Sequence, residues 1–221
     1  MARRSQSETP ASAHPWIPQD APTAQQVETI EADPLWGDAL ALNGPSSPAA
    51  APFVDVSQDV PWPVTETTRD ASVCVMGLHG GAGASLFTHL IGKTALDTER
   101  QWPLYTGWTR PLPTLPVLAV ARTHYEGVAA ATRLARLWAA GALPDSAQLL
   151  GIVMVDDGPK LVKDQERAVK RVAQMVPNGW HVRWNETWRL SRPSYETAPA
   201  RVRRIIDNIR SLAASTNGEQ Q

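Results

Sequence analysis

Residues 75–88 read Val75-Met76-Gly77-Leu78-His79-Gly80-Gly81-Ala82-Gly83-Ala84-Ser85-Leu86-Phe87-Thr88, and this stretch decides the fold. An apolar run, Val73 to Met76, leads into a glycine-rich turn, His79 to Ser85, and Leu86 to Ile91 reads as the opening of a helix. A strand, a glycine turn and a helix N-terminus together build an anion site. Backbone N–H groups converge on the ligand and the helix dipole favours negative charge. The position just before Ser85, where a lysine would reach a phosphate, is Ala84.

The pattern outward from the turn alternates strands with helices. Residues 72–77 read as the first strand and 84–95 as the helix after the turn, weakened at Gly92. Leu115 to Ala121 reads as a second strand, with Pro116 near its start where a strand tolerates it. Residues 125–141 form a helix with Val128, Leu134, Ala135 and Trp138 on one face and Gly141 at its end. Leu149 to Val155 is apolar on both faces, as a buried parallel strand demands. A basic helix over 160–175, a short alternating strand from Trp180 to Trp184 and an amphipathic helix over 199–214 follow. This order predicts an α/β fold of three layers around a mainly parallel sheet. Residues 97–114, rich in Pro and Trp, read as an irregular connection with no strand ending in an aspartate, and Asp97 falls at a helix end.

The turn resembles the deviant Walker A motif of the ParA/MinD ATPases, Lys-Gly-Gly-x-Gly-Lys-Ser/Thr. Gly80, Gly81, Gly83 and Ser85 match it, while His79 and Ala84 stand where the family has its two lysines. Val117 to Thr123 is similar to the family's valine-rich strand, and Gly151 to Asp156 to the strand beside its adenine pocket. Val182 to Glu186 is similar to the adenine-side segment, with Arg183 and Asn185 replacing its proline and aspartate. The resemblance implies a P-loop-NTPase-like domain holding ATP or ADP with Mg²⁺, phosphate on Gly80, Gly81, Gly83 and Ser85, and the metal on Ser85. It also implies lost hydrolysis, because the catalytic lysine position is Ala84. The chain further resembles an uncharacterised group of such proteins on mobile genetic elements, which implies a structural or nucleotide-sensing role in DNA maintenance or transfer. A protein partner, DNA and a homodimer are the partners such a role brings in.

Composition divides the chain of 221 residues. Residues 1–68 hold ten of the 19 prolines and show no hydrophobic period, which predicts a disordered acidic tail. The folded domain is expected over 69–214, with 215–221 a disordered end. Charge is uneven: residues 1–70 carry three basic and ten acidic residues, and residues 160–210 twelve basic and five acidic. The tail therefore serves solubility or folds over its own basic face. Two islands, around Trp16 and Trp36, are either docking motifs for a partner or pack on the domain itself. A ligand-free adaptor that recruits a partner through these islands is the alternative function. The single cysteine, Cys74, reads as a core residue. No secretory signal or membrane-length apolar run is visible, which points to the cytoplasm.

Other candidates have plain alternatives. The glycine turn either binds phosphate or is an empty inherited turn. His79 either substitutes for a lysine when protonated or is a polar loop residue. Arg122 either meets a phosphate or is a solvated strand-end arginine. Asp156, beside Asp157, either holds a metal or base or serves the turn Asp-Asp-Gly-Pro. Arg201, Arg203, Arg204 and Arg210 face water on the last helix, either as solvated charge or as contacts to DNA phosphates. Trp180, Trp184 and Trp188 either fill the core or stack on bases.

Overall fold

The computed structural model describes residues 32–218. Its elements are β1 (Ala41–Leu42), β2 (Val64–Thr67), β3 (Val73–Gly77), α1 (Ala84–Ile91), β4 (Ala95–Asp97), β5 (Trp102–Tyr105), β6 (Leu115–Arg122), α2 (Tyr125–Ala139), β7 (Ala147–Val155), α3 (Lys163–Ala173), β8 (Gly179–Val182) and α4 (Ala200–Gly218). Six strands form one sheet in the order β1-β8-β7-β6-β3-β4, parallel throughout except for β1. Strands β2 and β5 pair separately and in parallel. Helices α1 and α4 pack on one face of the large sheet, and α2 and α3 on the other. The three layers expected from the alternating pattern are present.

The sheet sits in the middle because its strands are apolar on both sides. Val73 to Met76, Val117 to Ala121 and Ile152 to Met154 are all buried. Cys74 is among them, and burial pushes its thiol up to about 12. A bulge interrupts β7: Val117 pairs with Leu149 but Leu118 with Gly151, so Leu150 is the extra residue. Gly151 has φ 154° there, and a Cβ on it would collide with the Asn178 carbonyl. Gly151→Ala is therefore expected to lower stability by roughly 3 kcal/mol or more, read as a fall in the urea midpoint.

The chain visits β4 on one side of β3 and returns to β6 on the other. That reversal is a topological switch point, and open α/β sheets bind ligands at the carboxyl ends of strands there. The expected helix over 84–95 stops at Ile91, where Gly92 turns at φ 117°. Three residues later comes β4, so the connection 97–114 is less irregular than its composition predicts. A strand does end in an aspartate, Asp97, and it lies parallel to β3.

Residues 32–68 correct the expected boundary of the tail. They run over the domain and contribute β1 and β2. Leu35, Trp36 and Trp62 are buried. Trp36 Nε1 donates to the Gly179 carbonyl at 2.7 Å, and Trp62 Nε1 to that of Arg100 at 3.1 Å. Asp59 pairs with Arg136 at 3.0 Å. The Trp36 island thus packs on its own domain; the Trp16 island lies outside the described residues. Trp36→Ala is expected to cost about 3–5 kcal/mol in chemical denaturation, the usual range for losing a buried tryptophan.

Candidate functional site

The glycine turn joins β3 to α1 at the switch point. Gly81 and Gly83 have φ 76° and 105°, so the turn bends through left-handed positions that glycine adopts without strain. Its outer face is open: a Cβ at Gly80 or Gly81 would meet nothing within 4 Å. The N–H groups of Gly80, Gly81, Gly83, Ala84 and Ser85 have no acceptor among the described residues, whereas those of Gly77, Leu78 and Ala82 bond to Glu99, Val120 and His79 carbonyls. Three of these donors, on Gly83, Ala84 and Ser85, lie at the N-terminus of α1 and two, on Gly80 and Gly81, in the turn before it, and such donors are what an anion needs.

His79 cannot serve as a stand-in lysine. Its Nδ1 lies 2.9 Å from the Gly80 carbonyl, which accepts the ring proton, and its Nε2 accepts the Arg122 backbone N–H at 2.9 Å. Those two bonds require the neutral ring. Burial lowers its pKa, and the neighbouring His124 and Arg122 add to that effect against the Gly80 bond. The imidazole is a strut between the turn and β6.

Two arginines lie beside the turn. Arg122 donates from Nη1 to the Asp156 carbonyl at 2.8 Å and from Nε toward that of Gly81 at 3.4 Å, which places its guanidinium beside the turn. Arg192 reaches back from the segment after β8 and donates to the Ser85 carbonyl at 3.1 Å. Both line a cleft of about 490 Å³ that opens from Ser85 across the ends of β6 and β7. Arg183 and Arg189 line it too, with Trp184, Trp188 and Leu190 as its apolar part. Its size and its mix of apolar wall with a few polar groups suit a small-molecule ligand. Trp180, by contrast, is buried, with its Nε1 donating to Asn208 at 3.0 Å.

Ser85, the residue implied to hold Mg²⁺, has a carboxylate beside it that the sequence did not point to. Ser85 Oγ donates to Asp97 Oδ2 at 2.7 Å, which sets a hydroxyl beside a carboxylate at the α1 N-terminus. Mg²⁺ is commonly held by one or two such oxygens, with waters and substrate phosphates completing its shell. It would supply charge neutralisation for a bound polyphosphate.

Asp156 is placed differently from its expected role. Its Oδ1 bonds to His181 Nε2 at 2.9 Å and its Oδ2 accepts the Trp184 N–H at 3.3 Å, so both oxygens are engaged inside the protein. His181 Nδ1 in turn meets Asp33 Oδ2 at 2.9 Å. Burial pulls the His181 pKa down, but the hydrogen bonds and charges of Asp156 and Asp33 outweigh it and raise it to about 9. Asp157 binds the Thr123 hydroxyl at 2.8 Å, fixing the turn.

The arginines of α4 are likewise mostly committed. Arg201 pairs with Asp33 at 3.4 Å and donates to the Ala39 carbonyl at 2.6 Å. Arg203 donates to the Ala198 carbonyl at 2.6 Å. Arg210 donates to the Ile91 carbonyl at 2.8 Å, closing the C-terminus of α1, and lies over Tyr195. Of the four expected to face water, Arg204 is the exposed one. Their contact with DNA is not supported by this arrangement.

The fold and site define a three-layer α/β protein with a lysine-free glycine turn and an arginine-lined cleft at its switch point. The chain belongs to a family of unknown function, DUF6668, whose model matches residues 71–206. No curated protein and no solved structure matches it. Among the described residues no helix is long and apolar enough to cross a membrane.

Proposed function

We propose that this protein binds a nucleotide or another phosphate-bearing anion and does not turn it over at an appreciable rate. The observation that carries the reading is the set of five unpartnered N–H groups in the turn, beside Arg122 and Arg192. The ligand's phosphates lie at the turn and Ser85, and the apolar part of the cleft, with Trp184 and Trp188, receives the remainder. Slow or absent hydrolysis follows from Ala84 and from a neutral His79, because no mobile ammonium follows charge onto a leaving phosphate. In this reading the chain is a degenerate relative of the ParA/MinD proteins, acting as a sensor or structural partner. Adaptor function through Trp36 is disfavoured, since that side chain is used within the fold.

Thermal unfolding of the full chain with millimolar Mg-ATP, Mg-ADP and Mg-GTP tests the proposal. Ligand at 100 times its Kd adds roughly 2.7 kcal/mol, several degrees in a domain of this size. A rise with at least one nucleotide is expected, with no phosphate release over hours. Unchanged melting with all three would remove nucleotides as ligands.

A further inference from the structure

Asp33, Leu35 and Trp36 precede β1 in the chain yet end beneath the cleft. Asp33 Oδ1 caps its own turn, accepting the N–H groups of Leu35 at 2.8 Å and Trp36 at 2.9 Å. The same carboxylate receives His181 Nδ1 at 3.0 and 2.9 Å. Trp36 stacks on the His181 ring with centroids 5.1 Å apart. On its other nitrogen His181 holds Asp156, and Asp156 holds two walls of the cleft: Trp184 through its carboxylate and Arg122 through its carbonyl. One unbroken chain of polar contacts runs from the N-terminal segment to the ligand side of the sheet.

These charges are not the segment's sole fastening. Leu35 and Trp36 already bury apolar surface, and Trp36 adds a hydrogen bond to Gly179. Buried ion pairs lose much of their attraction to desolvation, and their best-attested use is to fix one arrangement among several. The charged groups that face His181 are Asp33 from the segment and Asp156 from the end of β7, and Arg201 from α4 meets Asp33 on its far side.

We infer that Asp33 and His181 are positioning residues for the cleft: the docked segment 33–37 holds Asp156, and through it Arg122 and Trp184, in the arrangement that receives the ligand. The inference rests on the proposed phosphate site, so its test needs one readout with ligand and one without. The ligand readout is calorimetric binding of ATP, with and without Mg²⁺, to the full chain. The ligand-free readout is hydrogen exchange of the Trp184 amide, whose acceptor is Asp156 itself.

In Asp33→Asn, ATP is expected to bind at least tenfold more weakly and the Trp184 amide to exchange at least tenfold faster. Val73→Ala, a cavity at the start of β3 in the core on the opposite face of the sheet from Trp36, is expected to lower the melting temperature and leave both readouts unchanged. If Asp33→Asn fails to fold, Trp36→Phe loosens the same clip by removing one hydrogen bond, with smaller changes in the same direction. Unaltered ATP affinity together with unaltered Trp184 exchange in a folded Asp33→Asn protein would overturn the inference. Fast Trp184 exchange in Asp33→Asn, with no ATP bound even by the wild type, would sustain the positioning role and remove the ligand assigned to the site.

Discussion

Raising the pH from 6 to 9 is expected to cost the protein about 3 kcal/mol of stability through His181. The ordinary histidine value is 6.5 and burial between Asp156 and Asp33 leaves the folded value at about 9. Below pH 6.5 the ring is protonated in both states and its contribution is fully present. Between 6.5 and 9 the unfolded chain sheds its proton while the folded chain keeps it, so the contribution falls. Above 9 it is gone. Asp33 works at the other end. Burial raises its carboxyl, but His181 and the N–H groups of Trp36 and Leu35 outweigh that and hold it below its ordinary 3.8, so its share of stability is lost as pH falls below that value. His79, lowered by burial, has the opposite sign to His181: it costs stability as pH falls below 6.5. Urea unfolding at pH 6, 7.5 and 9 reads the balance. His181→Gln strands two buried carboxylates, so at pH 6 it is expected to lose about 3–5 kcal/mol. It should then change little up to pH 9. A variant that kept the wild-type slope would place the titrating group elsewhere.

The second large effect is loss of the ligand on Gly83→Asp. Residue 83 sits at φ 105°, immediately before the first turn of α1. An aspartate there is strained by about 1–2 kcal/mol and places a carboxylate where the turn's donors point. Strain and charge separate by comparison with Gly83→Ala, which carries the first alone. Gly83→Ala is expected to bind ATP more weakly and Gly83→Asp not measurably, in a calorimetric titration. Equal affinities in both variants would show that the anion does not approach this turn.

The fold was legible where the chain is apolar over a whole element. β3, β6 and β7 carry unbroken runs that only a doubly covered sheet accommodates, and α2 announces itself by period and by Gly141. β4 escaped because Ala95-Leu96-Asp97 is too short for any period, and because the helix pattern before it runs on past Gly92. The segment 32–68 escaped because proline-rich, acidic composition is the mark of disorder. Its order comes from two tryptophans finding pockets far away in sequence, which composition does not reveal.

The site divides the same way. The glycine turn was readable because its donors come from adjacent residues. Arg122 was legible as a strand-end residue because it closes the apolar run of β6, next to β3. Arg192 carried no local signal: 107 residues separate it from the Ser85 carbonyl that it reaches. Asp33 and His181 are 148 apart and meet through the packing of β1 on β8 and of Trp36 on His181. His79 shows the limit of residue type as a guide. A histidine in a glycine-rich turn of this pattern invites a cationic role, but two backbone partners fix it as a neutral ring.

The central claim is that the turn's backbone donors grip an anion, and the most direct test watches those donors. Amide resonances of the full chain would be followed by NMR while pyrophosphate, and then ATP, is added. Gly80, Gly81, Gly83, Ala84 and Ser85 are predicted to shift the most, along one saturating curve, and not to shift in Gly83→Asp. Saturating shifts confined to other residues, or none at all, would contradict the account.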